Sequence, residues 1–278
     1  MAKFTCNFIS YTLKRTVDIT VVVPSVTIPE SLGMVADPKV LESLDLEVDN
    51  EGVTINRHSK EHKYPVLYML HGYGNNHATW TGYTNIELYA EERNIAIVMI
   101  SAENKFYIDS GADLFFKFIE DELPDFICGM FPISRKSEDT YLAGLSMGGF
   151  GTLVHALSNP EKYAALGAFS AAVNLSDDMR NMLGVSISDE YNIMELAKKI
   201  NCESKSKLKM YISCGKDDFL YDANLEASKL FIEMGFDVNW VDRPNYGHEW
   251  RFWDIEAEAF LDWIPRSDYY AGTGKRQI

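Results

Sequence analysis

The sequence predicts an α/β fold, a mainly parallel sheet covered by helices on both faces, and three observations lead there. Short apolar runs alternate along the chain with longer segments of helical periodicity. The short runs are nearly continuous in apolar residues, as strands buried on both faces are, instead of alternating apolar with polar. The length, 278 residues, and a composition of 46% apolar and 24% charged residues suit one large core in one domain.

In chain order the strand candidates are residues 17–23, 64–70, 95–101, 140–145, 164–170, 208–214 and 238–241. Between several of them lie helical candidates at 87–93, 112–130, 147–158, 223–235 and 252–264. A parallel sheet of this kind carries its sites at the carboxyl ends of its strands. Two stretches break the alternation. Residues 25–63 are polar and acidic with Pro29, Gly33, Pro38 and Gly52, which suits a hairpin excursion or a flap. Residues 173–207 follow a strand and hold a helix-like run at 190–200; an insertion there sits above the carboxyl edge, as a cap over the site or as a packing helix with loops.

Bulk properties narrow the function. A formal net charge of -15 repels phosphate backbones and anionic membrane surfaces, so no nucleic-acid or membrane partner is expected. No stretch approaches the roughly 20 apolar residues of a membrane span, and residues 1–10 lack a secretory apolar run, which leads to the expectation of a cytoplasmic protein. Cys6, Cys128, Cys202 and Cys214 are scattered without metal-ligand spacing and read as reduced, mostly core thiols, with no metal site.

The strongest local signal is Gly144-Leu145-Ser146-Met147-Gly148-Gly149, which follows one strand candidate and opens a helix candidate. A Gly-x-Ser-x-Gly turn between strand and helix holds the serine in strained geometry with its hydroxyl exposed, and flanking glycines avoid the resulting clashes. A serine hydroxyl needs a base to take its proton. His248, in the loop before the last helix candidate, is expected to be that base; His155 falls inside the helix after Ser146 and is expected to pack there.

The base in turn needs an acid to fix its tautomer. The strand at 208–214 ends in Gly215-Lys216-Asp217-Asp218. Asp218 is preferred, because the bend after Gly215 needs room before a side chain turns inward, with Asp217 as the alternative. Acyl chemistry also needs hydrogen-bond donors for a developing oxyanion. The expected donors are the backbone N–H of Met147 and that of Tyr73, within His71-Gly72-Tyr73-Gly74; His71 itself reads as structural.

Together with Phe106-Tyr107-Ile108-Asp109, Asp217-Asp218-Phe219-Leu220-Tyr221 and Gly247-His248-Glu249-Trp250, these motifs resemble the esterase family that holds esterase D, S-formylglutathione hydrolases, tributyrin esterases and acetyl and feruloyl esterases. The resemblance covers residues 64–263. It implies an α/β-hydrolase fold with an eight-stranded sheet, a triad of Ser146, Asp218 and His248, a small-molecule ester as substrate, and no metal or organic cofactor. The Gly-Leu-Ser-Met-Gly-Gly and Asp-Asp-Phe-Leu-Tyr runs are most similar to bacterial tributyrin esterases, which implies short acyl chains. The chain departs from the family in the oxyanion loop, His71-Gly72-Tyr73-Gly74-Asn75-Asn76, where S-formylglutathione hydrolases often carry a cysteine, and at Ala102-Glu103-Asn104-Lys105. Trp80, Tyr107 and Trp250 are the candidates for the pocket wall. Feruloyl or acetylxylan esters, glutathione thioesters, acyl transfer as in mycolyltransferases and a non-enzymatic binding role are the rival expectations, and a homo-oligomer is open.

Overall fold

A computed structural model of the chain describes residues 1–25, 48–49, 52–53, 62–174, 177–276 and 278. Eight strands build one sheet: β1 (Ala2–Ser10), β2 (Arg15–Val23), β3 (Val66–Leu70), β4 (Ala96–Ile100), β5 (Thr140–Leu145), β6 (Ala165–Phe169), β7 (Lys209–Gly215) and β8 (Asp237–Arg243). Their spatial order is β1-β2-β4-β3-β5-β6-β7-β8. β1 pairs antiparallel with β2 and β2 antiparallel with β4, and every other pairing is parallel. This is the α/β-hydrolase sheet that the motifs implied.

Strands β3, β4 and β6 are buried at every residue, which is why they read as unbroken apolar runs. Their side chains nonetheless divide strictly between two cores, because successive residues of a strand point to opposite faces. Leu67, Met69 and Ile97, with Tyr141 of β5, face the layer of α1 (Thr79–Tyr83), α2 (Ile86–Arg93) and α9 (Trp250–Trp263), where Trp80, Tyr89, Phe252 and Phe260 complete the packing. Val66, Tyr68, Val98 and Leu142 face α3 (Leu123–Met130), α4 (Met147–Ser158) and α8 (Tyr221–Glu233), through Leu123, Leu153 and Phe231.

The N-terminal strand β1 was not among the strand candidates. It sits at the sheet edge, where Phe4 and Ile9 are exposed, so its side chains show neither a clean alternation nor an apolar run. Its turn into β2 is held from within: the buried Glu122 carboxylate accepts from the Tyr11 and Thr12 N–H groups and from the Ser10 hydroxyl. The helical candidate at 112–130 begins only at Phe115 and passes through a π turn, Phe118–Glu122, before α3. Of the four cysteines, all free, Cys214 is buried, Cys6 and Cys128 are half-buried and pack against the core, and only Cys202 is exposed.

Most of the 25–63 stretch lies outside the described residues; within it Val48–Asp49 pairs antiparallel with Gly52–Val53. The segment between β6 and β7 holds α5 (Asp177–Leu183), α6 (Ile193–Lys199) and α7 (Cys202–Lys207). Among the described residues no helix is long and apolar enough to cross a membrane.

The order of strands positions the site. From β3 the chain moves outward to β4, whereas from β5 it moves the other way to β6, so the loops after β3 and β5 part at their carboxyl ends and leave a crevice. The β3–β5 register pairs Leu70 with Gly144, which puts the loop from His71 beside Ser146.

Candidate active site

Ser146 closes β5 and precedes α4 with φ 53° and ψ -114°, a conformation that costs a non-glycine residue on the order of 1–3 kcal/mol. The turn survives because glycines surround it. A Cβ on Gly144 would lie 2.4 Å from the Gly148 carbonyl oxygen, and one on Gly148 would lie 2.3 Å from the Leu70 oxygen. The backbone of Ser146 is fixed by Ser146 N–H donating to Phe169 O (2.9 Å) and by Ala172 N–H donating to Ser146 O (3.0 Å). Met147 follows as the first residue of α4, where helix N–H groups have no intrahelical acceptor and face the positive end of the dipole.

His248 reaches the same edge from the loop after β8. Its Nδ1–H donates to Asp218 Oδ2 at 2.9 Å, with the carboxylate fully buried and the imidazole about a fifth exposed (22%). Asp217 is exposed, its N–H spent on the Tyr246 carbonyl, so the structure pairs His248 with Asp218 and not with its neighbour. Burial pushes the Asp218 carboxyl up, but the bonds from His248 and from the Leu220 N–H (2.9 Å) outweigh it and hold the group below its ordinary range. Asp218 is therefore a carboxylate at neutral pH. Phe219 and Trp253 pack on the imidazole, ring centroids 4.8 and 4.9 Å away, the latter edge-on.

Ser146 and His248 line one cavity of about 410 Å³, with no hydrogen bond yet joining their side chains. Tyr73, Met147 and Trp250 line it too. Its far wall comes from α5, through Met179, Met182 and Leu183. No Lys, Arg, Asp or Glu is among the described residues that line it, so it suits a neutral, apolar group next to the hydroxyl. Among the described residues no cluster of three or more His, Cys, Asp or Glu could hold a metal ion.

The loop after β3 is built from buried hydrogen bonds. Ala102 N–H donates to His71 Nε2 (3.0 Å), which leaves the proton on Nδ1, and Nδ1–H donates to Gly72 O (2.7 Å). Burial pushes the His71 imidazole down to about 4, partly offset by the Gly72 carbonyl, so His71 is a neutral structural residue as expected. The Gly72 oxygen also accepts from Asn75 N–H. Because the peptide unit is trans, fixing that oxygen turns the Tyr73 N–H to the opposite side. Gly72 has no room for a side chain: a Cβ there would lie 2.6 Å from Leu145 Cδ1 and 3.6 Å from Ser146 Cβ.

Two of the three pocket candidates belong elsewhere. Trp80 is fully buried beneath the site with its Nε1–H donating to Leu70 O, and it meets Trp250 edge-on. Tyr107 is fully buried as well, its hydroxyl donating to His71 O. Only Trp250 lines the cavity. Sequence reasoning missed the α5 wall and missed Ser170, whose hydroxyl accepts from Trp253 Nε1–H (3.2 Å) and so seats the ring that packs edge-on against His248. The end of β6, next to the elbow, was the one signal that could have drawn attention to Ser170.

The family described as "Putative esterase" matches residues 50–235, well over half of the chain. The chain belongs to this esterase family. It is a serine hydrolase of the carboxylesterase kind. This esterase is 29% identical over 242 residues to the acetyl esterase of Caldicellulosiruptor saccharolyticus, covering 80% of its own chain and 91% of that one. Its fold is similar to the fluorophosphonate-binding serine hydrolase F of Staphylococcus aureus, solved with substrate bound, at a TM-score of 0.74 and 25% identity, over 94% of this chain and 97% of that one. It is equally similar to an S-formylglutathione hydrolase of the same organism, at a TM-score of 0.72 and 25% identity, over 94% and 98%.

Proposed function

We propose that this esterase hydrolyses short-chain acyl esters through Ser146, His248 and Asp218, and the observation that carries the proposal is the hydrogen bond from His248 to the buried Asp218 carboxylate at the mouth of the serine's cavity. Asp218 keeps the His248 proton on Nδ1, so Nε2 carries the lone pair. A turn of the Ser146 side chain or a small shift of the ring brings hydroxyl and Nε2 together, as commonly happens only when substrate binds. Nε2 then takes the hydroxyl proton while Oγ attacks the ester carbonyl. The oxyanion rests on the N–H groups of Met147 and Tyr73, each such donor worth about 3–4 kcal/mol of barrier. As the intermediate collapses, His248 gives its proton to the leaving alcohol, and water repeats the cycle on the acyl-enzyme.

The size and lining of the cavity support short neutral acyl groups, and the acetyl esterase relative supports the same class. A glutathione thioester would bring carboxylates to a cavity with no Lys or Arg among the described residues that line it, so we place it behind simple esters. Ser146→Ala should abolish turnover of p-nitrophenyl acetate and labelling by a fluorophosphonate in a protein that still folds. Retained turnover would exclude the mechanism. A series from acetyl to dodecanoyl esters should peak at acetyl or butyryl, and a maximum at decanoyl or longer would exclude the substrate class.

A further inference from the structure

The cavity leaves unexplained a carboxylate and an imidazole paired deep in the other core. Glu120 and His155 are 7% and 0% exposed, neither lines the site, and a buried pair of this kind is rarely retained for stability alone, since apolar replacements often serve as well or better. We propose that this pair positions the oxyanion-binding loop, acting through Tyr107 and His71.

The connection is a line of short hydrogen bonds. Glu120 Oε1 accepts from His155 Nδ1–H at 2.6 Å and from the Tyr163 hydroxyl at 2.9 Å, and its other oxygen accepts from Lys162 Nζ at 2.9 Å. Burial pushes the carboxyl up, but His155 and Lys162 more than offset it, so Glu120 is ionised. Both ring nitrogens of His155 meet oxygen acceptors, Nδ1 the carboxylate and Nε2 the Tyr107 carbonyl at 2.8 Å. Phe116 stacks on the imidazole, 4.6 Å between centroids and nearly parallel. From Tyr107 the hydroxyl donates to His71 O at 2.7 Å, and the His71 ring holds Gly72 O at 2.7 Å. The last link fixes the peptide whose N–H belongs to Tyr73.

Two features mark the line as built for position. Phe106 and Tyr107 both have positive φ, 54° and 64°, which bulky residues adopt only when their surroundings force it. The His155 Nε2 at the Tyr107 carbonyl is one such constraint. Gly151 of α4 is the other: a Cβ there would lie 2.6 Å from the Tyr107 ring, so bare helix backbone seats the aromatic side chain. At the far end, Glu120 lies in the π turn Phe118–Glu122, and such one-turn irregularities often re-aim a side chain at a functional site. The strained loop after β4 and the buried carboxylate thus meet the loop after β3 at one bond, from the Tyr107 hydroxyl to His71 O, and Gly72 of that second loop lies beside Ser146.

The inference rests on the proposal that Tyr73 N–H receives the oxyanion, and a double-mutant cycle with p-nitrophenyl acetate separates the two. Turnover by the wild type and silence of Ser146→Ala test the esterase mechanism; the cycle tests the coupling alone. Glu120→Gln and Tyr107→Phe should each lower kcat by about ten-fold, a fraction of the loss from deleting an oxyanion donor outright, with KM changed by less than about two-fold. The affinity for a trifluoromethyl ketone, whose adduct with Ser146 carries the same oxyanion, should fall in parallel with kcat. The double variant should fall no further than the worse single. Should Glu120→Gln fail to fold, Lys162→Met, at a half-exposed position, weakens the same pair and should lower kcat by about two- to three-fold only when Tyr107 is present. Losses that multiply in the double variant, a Lys162→Met effect unchanged by Tyr107→Phe, or variants that lose stability at full kcat would each overturn the proposal.

Discussion

Replacing Gly148 with alanine should cost far more activity than one methyl group suggests. The added Cβ would lie 2.3 Å from Leu70 O, 2.6 Å from Leu70 C and 2.7 Å from His71 O, all backbone atoms of β3 and the loop that follows it. Ordinary contact begins near 3.4 Å, so the start of α4 and the end of β3 must separate by about 1 Å. Neither side is a flexible side chain that could swing away. Ser146 and the proposed donor Met147 lie on one side of that gap, and the proposed donor Tyr73 on the other. A 1 Å misplacement of catalytic groups costs about 100-fold in rate, and overpacking of this kind costs about 1–3 kcal/mol of stability. The assay is kcat on p-nitrophenyl acetate beside urea unfolding. Gly82→Ala and Gly129→Ala, helical positions with nothing near the added Cβ, are the controls and should keep full activity with up to about 1 kcal/mol of added stability. A Gly148→Ala protein with wild-type kcat and stability would refute the claim that contact between β3 and α4 sets the geometry of the site.

In Asp218→Asn the Leu220 N–H should hold the amide oxygen, so the amide NH₂ faces His248 Nδ1 and forces the proton to Nε2; kcat should fall by about 10,000-fold with the fold intact, as read by circular dichroism beside the kinetics. Ser170→Ala should leave the buried Trp253 Nε1–H without its acceptor and cost about 1–3 kcal/mol in urea unfolding; wild-type stability would count against Ser170 as the residue that seats Trp253 against His248. His71 carries a linkage to stability. Its folded state resists protonation down to about 4 while the unfolded chain binds the proton near 6.5, so its contribution is complete above about pH 6.5 and is lost as the pH falls toward 4. Between pH 7 and pH 4.5 that contribution falls by about 2–3 kcal/mol, and denaturant unfolding of His71→Asn should show a pH dependence shallower by that amount.

What could be read from the sequence, and what could not, divides along one physical line. The strands β3 to β7 and the elbow are legible because local chemistry defines them: runs of Val, Ile, Leu and Met between turns, or a serine between glycines at a strand end. His248 and Asp218 are legible for a related reason, since parallel strands deliver their following loops to one edge and few residues there can serve as base and acid. The pocket wall has no such local signature. Trp80 stands eight residues after Gly72 and looks like a site aromatic, yet its ring turns inward because Nε1–H finds the Leu70 carbonyl, whereas Met179 and Met182, in an acidic stretch with no motif, supply the wall. Ser170 is ordinary in sequence; only the packing of α9 against β6 brings Trp253 to its hydroxyl. The same holds for Glu120 and His155, 35 positions apart and joined at 2.6 Å. A residue whose part is set by its own backbone turn can therefore be identified from neighbours in sequence, but one whose part is set by a hydrogen bond across two layers cannot. The buried polar side chains that connect layers are consequently where variants of this esterase should produce effects that sequence patterns alone would not anticipate.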